Sequence, residues 1–201
     1  MWIYGGGGHA KVLIDCLIDA GIVIKGVFDD NPKEKEIHGY SILGPYNPAY
    51  LLDEALIIAV GDNATRRKLA EQVRHTFGNV SHPSALISAF SRVGDGSVIY
   101  HRAVIQSGSE IGRHVIINTA ATVDHDCRVG DFAHLAPGVI VCGEVRIGEG
   151  TLIGAGATVL PGIRIGAWCQ IGAGAVVCRP IPDFSVAVGI PAKVIRRLSP
   201  T

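Results

Sequence analysis

The sequence predicts two joined folds: a small α/β half-Rossmann domain over residues 1–80, and an all-β parallel β-helix with a C-terminal tail over residues 81–201. Three observations predict them. A branched aliphatic residue returns at every sixth position from Val93 to Val177 (Val93, Ile99, Ile105, Ile111, Ile117, Val123, Val129, Leu135, Val141, Ile147, Ile153, Val159, Ile165, Ile171, Val177), and a six-residue period is the mark of a parallel β-helix. A small residue stands two places before many of these, as at Ser97, Ala103, Ser109, Ala121, Cys127, Ala133, Thr151, Ala157 and Ala175. Ahead of the repeat, an apolar strand runs into a glycine turn, a helix and a second strand ending on two aspartates, the order of a nucleotide-binding unit.

Taken from the start, Trp2-Ile3-Tyr4 reads as a buried strand and Gly5 to Ala10 as the turn after it. Val12, Leu13, Cys16 and Leu17 keep a helical apolar spacing over Lys11 to Ala20, and Gly21 stops the helix. Ile22 to Phe28 is the second strand, closed by Asp29-Asp30. Gly5, Gly7 and Ala10 fit G-x-G-x-x-A. Such glycines let the backbone approach a phosphate, while the helix N-terminus offers free N–H groups. The two aspartates can take ribose hydroxyls or a base edge. Ala55 to Val60 is a third strand, and Gly61-Asp62-Asn63 caps a helix reaching about His75. The second half of a dinucleotide-binding sheet is missing, so the unit suits one nucleotide and not NAD. Asn79 to Ala89 leads into the repeat, which ends near Arg179, where Pro180-Ile181-Pro182 breaks the pattern.

Within the repeat, six residues make one short strand and a turn, and three such units close a triangular coil. Coils stack at the ordinary strand spacing of about 4.8 Å. The span from Val93 to Val177 covers between four and five coils, and residues eighteen apart lie one above the other. Val123 and Cys127 take inward slots, so His125 sits at the turn between them, facing out. Gly143 falls directly above His125. A backbone N–H there, with no side chain in the way, could hold a developing oxyanion.

Formal net charge is zero and neither lysine nor arginine is expected to cluster into a patch, which argues against nucleic acid as a partner. The longest apolar runs, such as Leu56 to Val60, fall far short of a bilayer span. The glycine turn follows the start at once, so no signal peptide is expected. Five cysteines form no C-x-x-C pair, and Cys127 and Cys169 occupy inward slots, consistent with reduced, cytoplasmic thiols. His101, His114, His125 and His134 are separated by 13, 11 and 9 residues. None of these is a multiple of a coil, so no stacked histidines and no metal site are expected.

The hexads together with Val188-Gly189-Ile190-Pro191-Ala192-Lys193 resemble the hexapeptide acyltransferases. Tyr4-Gly5-Gly6-Gly7-Gly8-His9, Asp29-Asp30 and Ala59-Val60-Gly61-Asp62-Asn63 narrow the resemblance to the NeuD/PglD-like sugar acetyltransferases. It covers almost the whole chain. The resemblance implies left-handed winding, acetyl-CoA as co-substrate without a metal, and a homotrimer with active sites between subunits. His125 and Asp126 coincide with the family's His-acidic pair, Asp126 being shorter than the commoner glutamate. An imidazole can take a proton from an attacking amine near neutral pH, and the carboxylate would fix its tautomer. Gly143 coincides with an acetyl-CoA contact, and His134 with a position tied to the active site. His134 lies half a coil from His125 and would approach it only across a subunit interface.

The expected acceptor is a nucleotide-linked 4-amino-4,6-dideoxy sugar, N-acetylated by direct attack with His125 as general base. Gly8, His9, Asp29, Asp30, Asn63 and His134 would bind it. Gly143, Ala155, Ala173, Gly189 and Lys193 would bind acetyl-CoA, the lysine as a point charge for phosphate. O-acetylation of a sugar such as sialic acid, or a non-catalytic nucleotide-sugar-binding module, are the alternatives. The sequence leaves the base and the sugar stereochemistry open.

Overall fold

The structure, a computed structural model, describes residues 1–50 and 53–199. Three apolar segments build the first unit because each is short and flanked by turn residues: β1 (Trp2–Tyr4), β2 (Gly26–Phe28) and β5 (Leu56–Ile58) form a parallel sheet in the order β2-β1-β5. A small antiparallel hairpin, β3 (Glu36–Ile37) and β4 (Tyr40–Ser41), follows β2. Helix α1 (Gly8–Asp19) buries Ala10, Leu13, Ile14, Cys16 and Leu17, and α2 (Asn63–Gln72) starts where the side chain of Asp62 accepts the Thr65 N–H.

Several boundaries differ from the sequence reading: α2 stops at Gln72 rather than about His75, since Val73 is extended, and the third strand shortens to Leu56–Ile58. Helix α1 begins at Gly8, three residues early, because first-turn N–H groups need no intrahelical partner and glycine is tolerated there. The second strand is reduced to Gly26–Phe28, since Ile22 is held by a backbone bond to Leu17 that finishes the helix.

From Val80 onward the chain winds into a parallel solenoid with three faces. We call them by what they carry. The docking face holds Val80–Ser81, Val98–Ile99, Ile116–Ile117, His134–Leu135, Leu152–Ile153, Gln170–Ile171 and Ser185–Val188. The apolar face holds Leu86–Ile87, Val104–Ile105, Thr122–Val123, Ile140–Val141, Thr158–Val159 and Val176–Val177. The arginine face holds Arg92–Val93, Glu110–Ile111, Arg128–Val129, Arg146–Ile147 and Arg164–Ile165. The six strands of the apolar face count the coils, more than Val93 to Val177 implies. Ser81 and Ile87 already lie in phase with the repeat, and the last coil is completed by Ser185–Val188, on which Lys193–Arg197 folds back antiparallel.

Inside the prism the aliphatic and small residues pack as expected: Ile105, Val123, Val141 and Val159 form one stacked row, with Ala103, Ala121 and Ala157 beside them. Polar corner residues solve a different problem. Ser109 donates to the Asp124 carbonyl (2.6 Å) and accepts the Cys127 N–H (3.0 Å), bracketing His125 from the coil below. Ser97 and Thr151 do the same for their own corners. Ser109→Ala leaves a buried carbonyl and N–H without partners, at roughly 1–3 kcal/mol. Urea unfolding should show a loss of that size, and an unchanged midpoint would refute the bracket.

Coil stacking also makes clusters that the linear order hides. Arg128, Arg146 and Arg164 are direct strand partners, and with Arg92 they line one face on which Glu110 lies 3.6 Å from Arg128, with Asp126, Glu144 and Asp183 at its margins. The expectation of no basic patch is thus corrected: arginines eighteen apart do not cluster in sequence but do in space. The histidine arithmetic likewise omitted His82, whose ring stacks on His101 with centroids 3.7 Å apart. Donor atoms of Asp19, His82 and His101 lie within 4.8 Å of one another. The His82 Nδ1 accepts the Ser84 N–H (3.0 Å), so its Nε2 carries the proton and donates to Asp19 Oδ2 (2.9 Å). That pairing pins the end of α1 to the first coils.

The first unit sits on the docking face. Val98, Tyr100 and Ile116 share one buried cluster with Ile3, Leu13, Leu17 and Ala59. Arg66 of α2 locks the contact: it is 1% exposed, and its guanidinium donates to the carbonyls of Val60, Gly61, His114 and Phe132 and to Asn63 Oδ1. Among the described residues no carboxylate pairs with it.

Candidate active site

Every sixth residue from Gly96 to Gly174 has a positive φ, which turns the chain at each corner. Asp126 is one of these, with φ 58°, a conformation that aspartate tolerates better than most residues. The turn therefore carries His125 and Asp126 side by side at the corner between the apolar and arginine faces. His125 Nδ1 lies 2.9 Å from Asp126 Oδ2, and both side chains are about half exposed or more, at 54% and 64%. A carboxylate can only accept, so Nδ1 carries the proton and Nε2 keeps its lone pair. The reach of the shorter acid is sufficient. Asp126, then Asp124, hold the imidazole above its ordinary pKa.

Gly143 occupies the same corner one coil on, as the register requires. A Cβ built on it would stand 2.7 Å from His125 Nε2. The imidazole thus lies against the bare backbone of Gly143. Its neighbours Cys142 and Glu144 donate to Val159 and His125, while among the described residues no acceptor faces the Gly143 N–H. One corner therefore combines an exposed basic nitrogen with a vacant amide donor.

Ala155 and Ala173 lie on the opposite edge of the apolar face, stacked one coil apart, and their N–H groups are also without partners among the described residues. Gly189, φ 99°, and Lys193 follow in the C-terminal hairpin. Within one chain these residues and Gly143 flank the two edges of a single sheet. The face between them is apolar and open, with Leu86 68% and Ile140 48% exposed, and Phe90 beside it 82% exposed.

A second group gathers at the carboxyl ends of β1, β2 and β5, where an open α/β sheet forms its binding crevice. Gly7 and Gly8 stand over open space at the N-terminus of α1. Asp29 braces the loop by accepting the Gly6 N–H (2.6 Å), and Asp30 accepts from the Tyr4 hydroxyl (2.8 Å). Asn63 is less available than the sequence suggests: it is buried, its amide donates to the Gly150 carbonyl, and its oxygen accepts from Arg66. Its side chain serves docking, leaving mainly its backbone for a ligand. His9 and His134 face each other with ring centroids 6.1 Å apart, and His9 Nε2 meets the Tyr100 hydroxyl at 3.0 Å. Burial, with Arg66 nearby, pushes both imidazoles down to about 4. His134 therefore belongs to the crevice of its own chain, on a different face from His125. Tyr100, Asn118 and Arg66 complete this group and were missed in sequence. The apolar outward positions Val98, Ile116 and Leu152 were the signal that this face is covered.

A family model of the PglD N-terminal domain matches residues 1–73, and one of the bacterial transferase hexapeptide (six repeats) matches residues 144–179. A histidine-to-asparagine variant of perosamine N-acetyltransferase from Caulobacter crescentus, in complex with CoA and GDP-perosamine, is 39% identical over 97% of this chain and 96% of that one, with a TM-score of 0.93. The acetyltransferase domain of PglB from Neisseria gonorrhoeae FA1090 is 34% identical over 96% and 98%, with a TM-score of 0.88. Among curated proteins, UDP-N-acetylbacillosamine N-acetyltransferase of Bacillus subtilis (strain 168) is 40% identical over 107 residues, 48% of this chain. The chain spans about half the length of that curated relative, 49%.

Proposed function

Because the chain belongs to the PglD-like hexapeptide acetyltransferases, acyltransferases built on a left-handed β-helix, we propose that it N-acetylates the 4-amino group of a nucleotide-linked 4-amino-4,6-dideoxy sugar, with acetyl-CoA as co-substrate. The observation that carries this reading is the corner where His125 Nε2 lies against Gly143. Residues 1–80 would bind the nucleotide sugar and residues 81–201 the thioester. The solved relatives were seen with CoA and GDP-perosamine, or with acetyl coenzyme A, which supports the pairing.

In this mechanism His125 Nε2 accepts the proton from the attacking amine, while the Gly143 N–H donates to the thioester oxygen as negative charge develops. Asp126 keeps Nδ1 protonated and stabilises the imidazolium. The new bond is the amide C–N, the broken bond is C–S, and the proton held by His125 passes to the departing thiolate. Ala155 and Ala173 would offer their N–H groups to the amide carbonyls of the pantetheine arm, and Gly189 and Lys193 would lie toward its phosphates. These residues and Gly143 flank opposite edges of one apolar face, so packing that face against a second chain would bring one chain's set up to the other's. A homotrimer, with that face covered, supplies such clefts. Gly8 and His9 would meet the diphosphate at the start of α1, Asp29 and Asp30 the base or ribose, and His134 the sugar end.

Thiol release measured with UDP-, dTDP- and GDP-linked 4-amino sugars tests the proposal. Silence with all three would remove it, and turnover of a nucleotide-free hydroxyl acceptor would replace it with O-acetylation.

The pH profile gives a second check. A base acts when deprotonated, so kcat/KM should fall as pH drops through a His125 pKa lying above the ordinary imidazole value. Asp126→Asn removes the leading cause of that elevation, and the acid limb should then move to lower pH as kcat falls. A limb that stays in place would show that another group titrates.

A further inference from the structure

We propose that Arg66, although buried and out of reach of any ligand, is a positioning residue that fixes His134 and the Gly61–Asn63 turn as one preset wall of the nucleotide-sugar crevice. The inference rests on the reading of that crevice as the acceptor site. It starts from a chain of hydrogen bonds whose direction is settled at each link. The Thr119 N–H donates to Asn118 Oδ1 (2.8 Å), so the Asn118 amide nitrogen is the atom facing His134. That nitrogen donates to His134 Nε2 (3.1 Å), which must therefore be unprotonated. The proton then sits on Nδ1, which points at the Gly61 carbonyl at 3.3 Å. The same carbonyl accepts from Arg66 Nη1 (3.2 Å), whose other bond goes to Val60.

His134 is thus a neutral imidazole of one tautomer, and protonating it would set Nε2–H against the Asn118 amide donors. Arg66 reinforces this state electrostatically. Its charge has no carboxylate partner within ion-pair distance among the described residues, and after burial it is what most lowers the pKa of both His9 and His134. The remaining donors tie the turn to the solenoid: Nη2 reaches Asn63 Oδ1 (2.8 Å) and the Phe132 carbonyl (2.7 Å), and Nε the His114 carbonyl (2.9 Å). Six acceptors, counting the Ala133 carbonyl at 3.4 Å, lie on both the first unit and the solenoid and need a planar, five-donor fork. Lysine, with three donors on a flexible stem, cannot replace it. The unpaired charge also favours an anion in the crevice, as a diphosphate would be.

The test reads tautomer and binding separately. In the intact protein, 15N-edited imidazole spectra should show His134 as the Nδ1–H form, untitrated between pH 6 and 8 (a window of roughly one unit either side of neutrality, against an ordinary imidazole value of about 6.5). In Arg66→Gln the charge is lost while burial, the larger cause, stays, so spectra followed below pH 6 should show the His134 titration shifted upward from about 4, or mixed tautomers. The affinities for UDP, GDP and dTDP by calorimetry should fall at least ~10-fold for whichever binds wild type. Arg66→Lys should keep His134 neutral yet still lose affinity, and kcat should fall more than the KM for acetyl-CoA rises. A wild-type His134 that titrates near the ordinary imidazole value overturns the proposal, even if neither variant folds. So does an Arg66→Gln protein with unaltered His134 spectra and unaltered affinity. Wild-type protein that binds none of the three nucleotides counts against the acceptor site itself, and the spectra then still decide what Arg66 does to His134.

Discussion

His125→Ala should lower acetyl transfer by at least ~10²-fold while the protein remains folded. The expectation of intact folding comes from where the residue sits. Its side chain is 54% exposed at a corner whose turn is held by backbone bonds and by the Ser109 hydroxyl beneath it. Surface changes of this kind usually alter stability by no more than about 0.5 kcal/mol. The loss should fall on kcat, since the imidazole exchanges a proton in the transition state and holds neither substrate by itself. His125→Asn would preserve some of the shape without a base and should be as slow. Single-turnover acetyl transfer from acetyl-CoA to the amino sugar gives the number directly. A variant within about threefold of wild type would mean that the amine attacks without help from this corner, and the mechanism would have to be abandoned.

Gly143→Ala should be nearly as damaging for a different reason, and its stability should be unchanged or slightly raised. Gly143 does not lie in the left-handed region, so alanine can take its backbone conformation, and removing glycine restricts the unfolded chain. The added methyl would stand 2.7 Å from both Nε2 and Cε1 of His125, closer than nonbonded carbon and nitrogen atoms can approach. The imidazole must swing outward, away from the amide that would bind the thioester oxygen. A displacement of about 1 Å in a catalytic pair can cost on the order of 10² in rate. Activity and thermal denaturation measured on the same preparation separate this from misfolding. Full activity with a stable protein would show that the stacking of imidazole on amide is incidental.

The corner that joins His125 to Gly143 was legible because the repeat is a ruler. Once Val123 and Val141 are in equivalent slots, His125 and Gly143 have to coincide, and they do. The paired carboxylate was visible as a neighbour, though only the positive φ of Asp126 shows that it reaches the ring. The union of the two units was legible only as a run of apolar outward positions at Val98, Ile116 and Leu152, not as a set of contacts. Arg66 looks like an ordinary charged residue on a polar helix, and nothing in a six-residue period says which face receives that helix. Its burial depends on carbonyls from Phe132 and His114, distant in sequence and contributed by backbone, which carries no side-chain signature. The arginine face shows the same limit in reverse, because residues eighteen apart form a patch only when the coils are stacked. Ser81 and Ile87 are in phase, and Ala85 takes the small slot before Ile87, but Ser81 is not aliphatic and neither is followed by glycine, so the pattern fades there.

The αL residue at every sixth position imposes a rule on chain length. Deleting one residue between Asp126 and Cys142 would rotate every later side chain off its slot, setting the imidazole and the amide at mismatched vertices. Adding eighteen elsewhere in the solenoid would return the frame to phase, whereas adding them between His125 and Gly143 would set that pair two coils apart. A designer could use that quantum, placed before His125 or after Gly143, to lengthen the protein without moving the two apart.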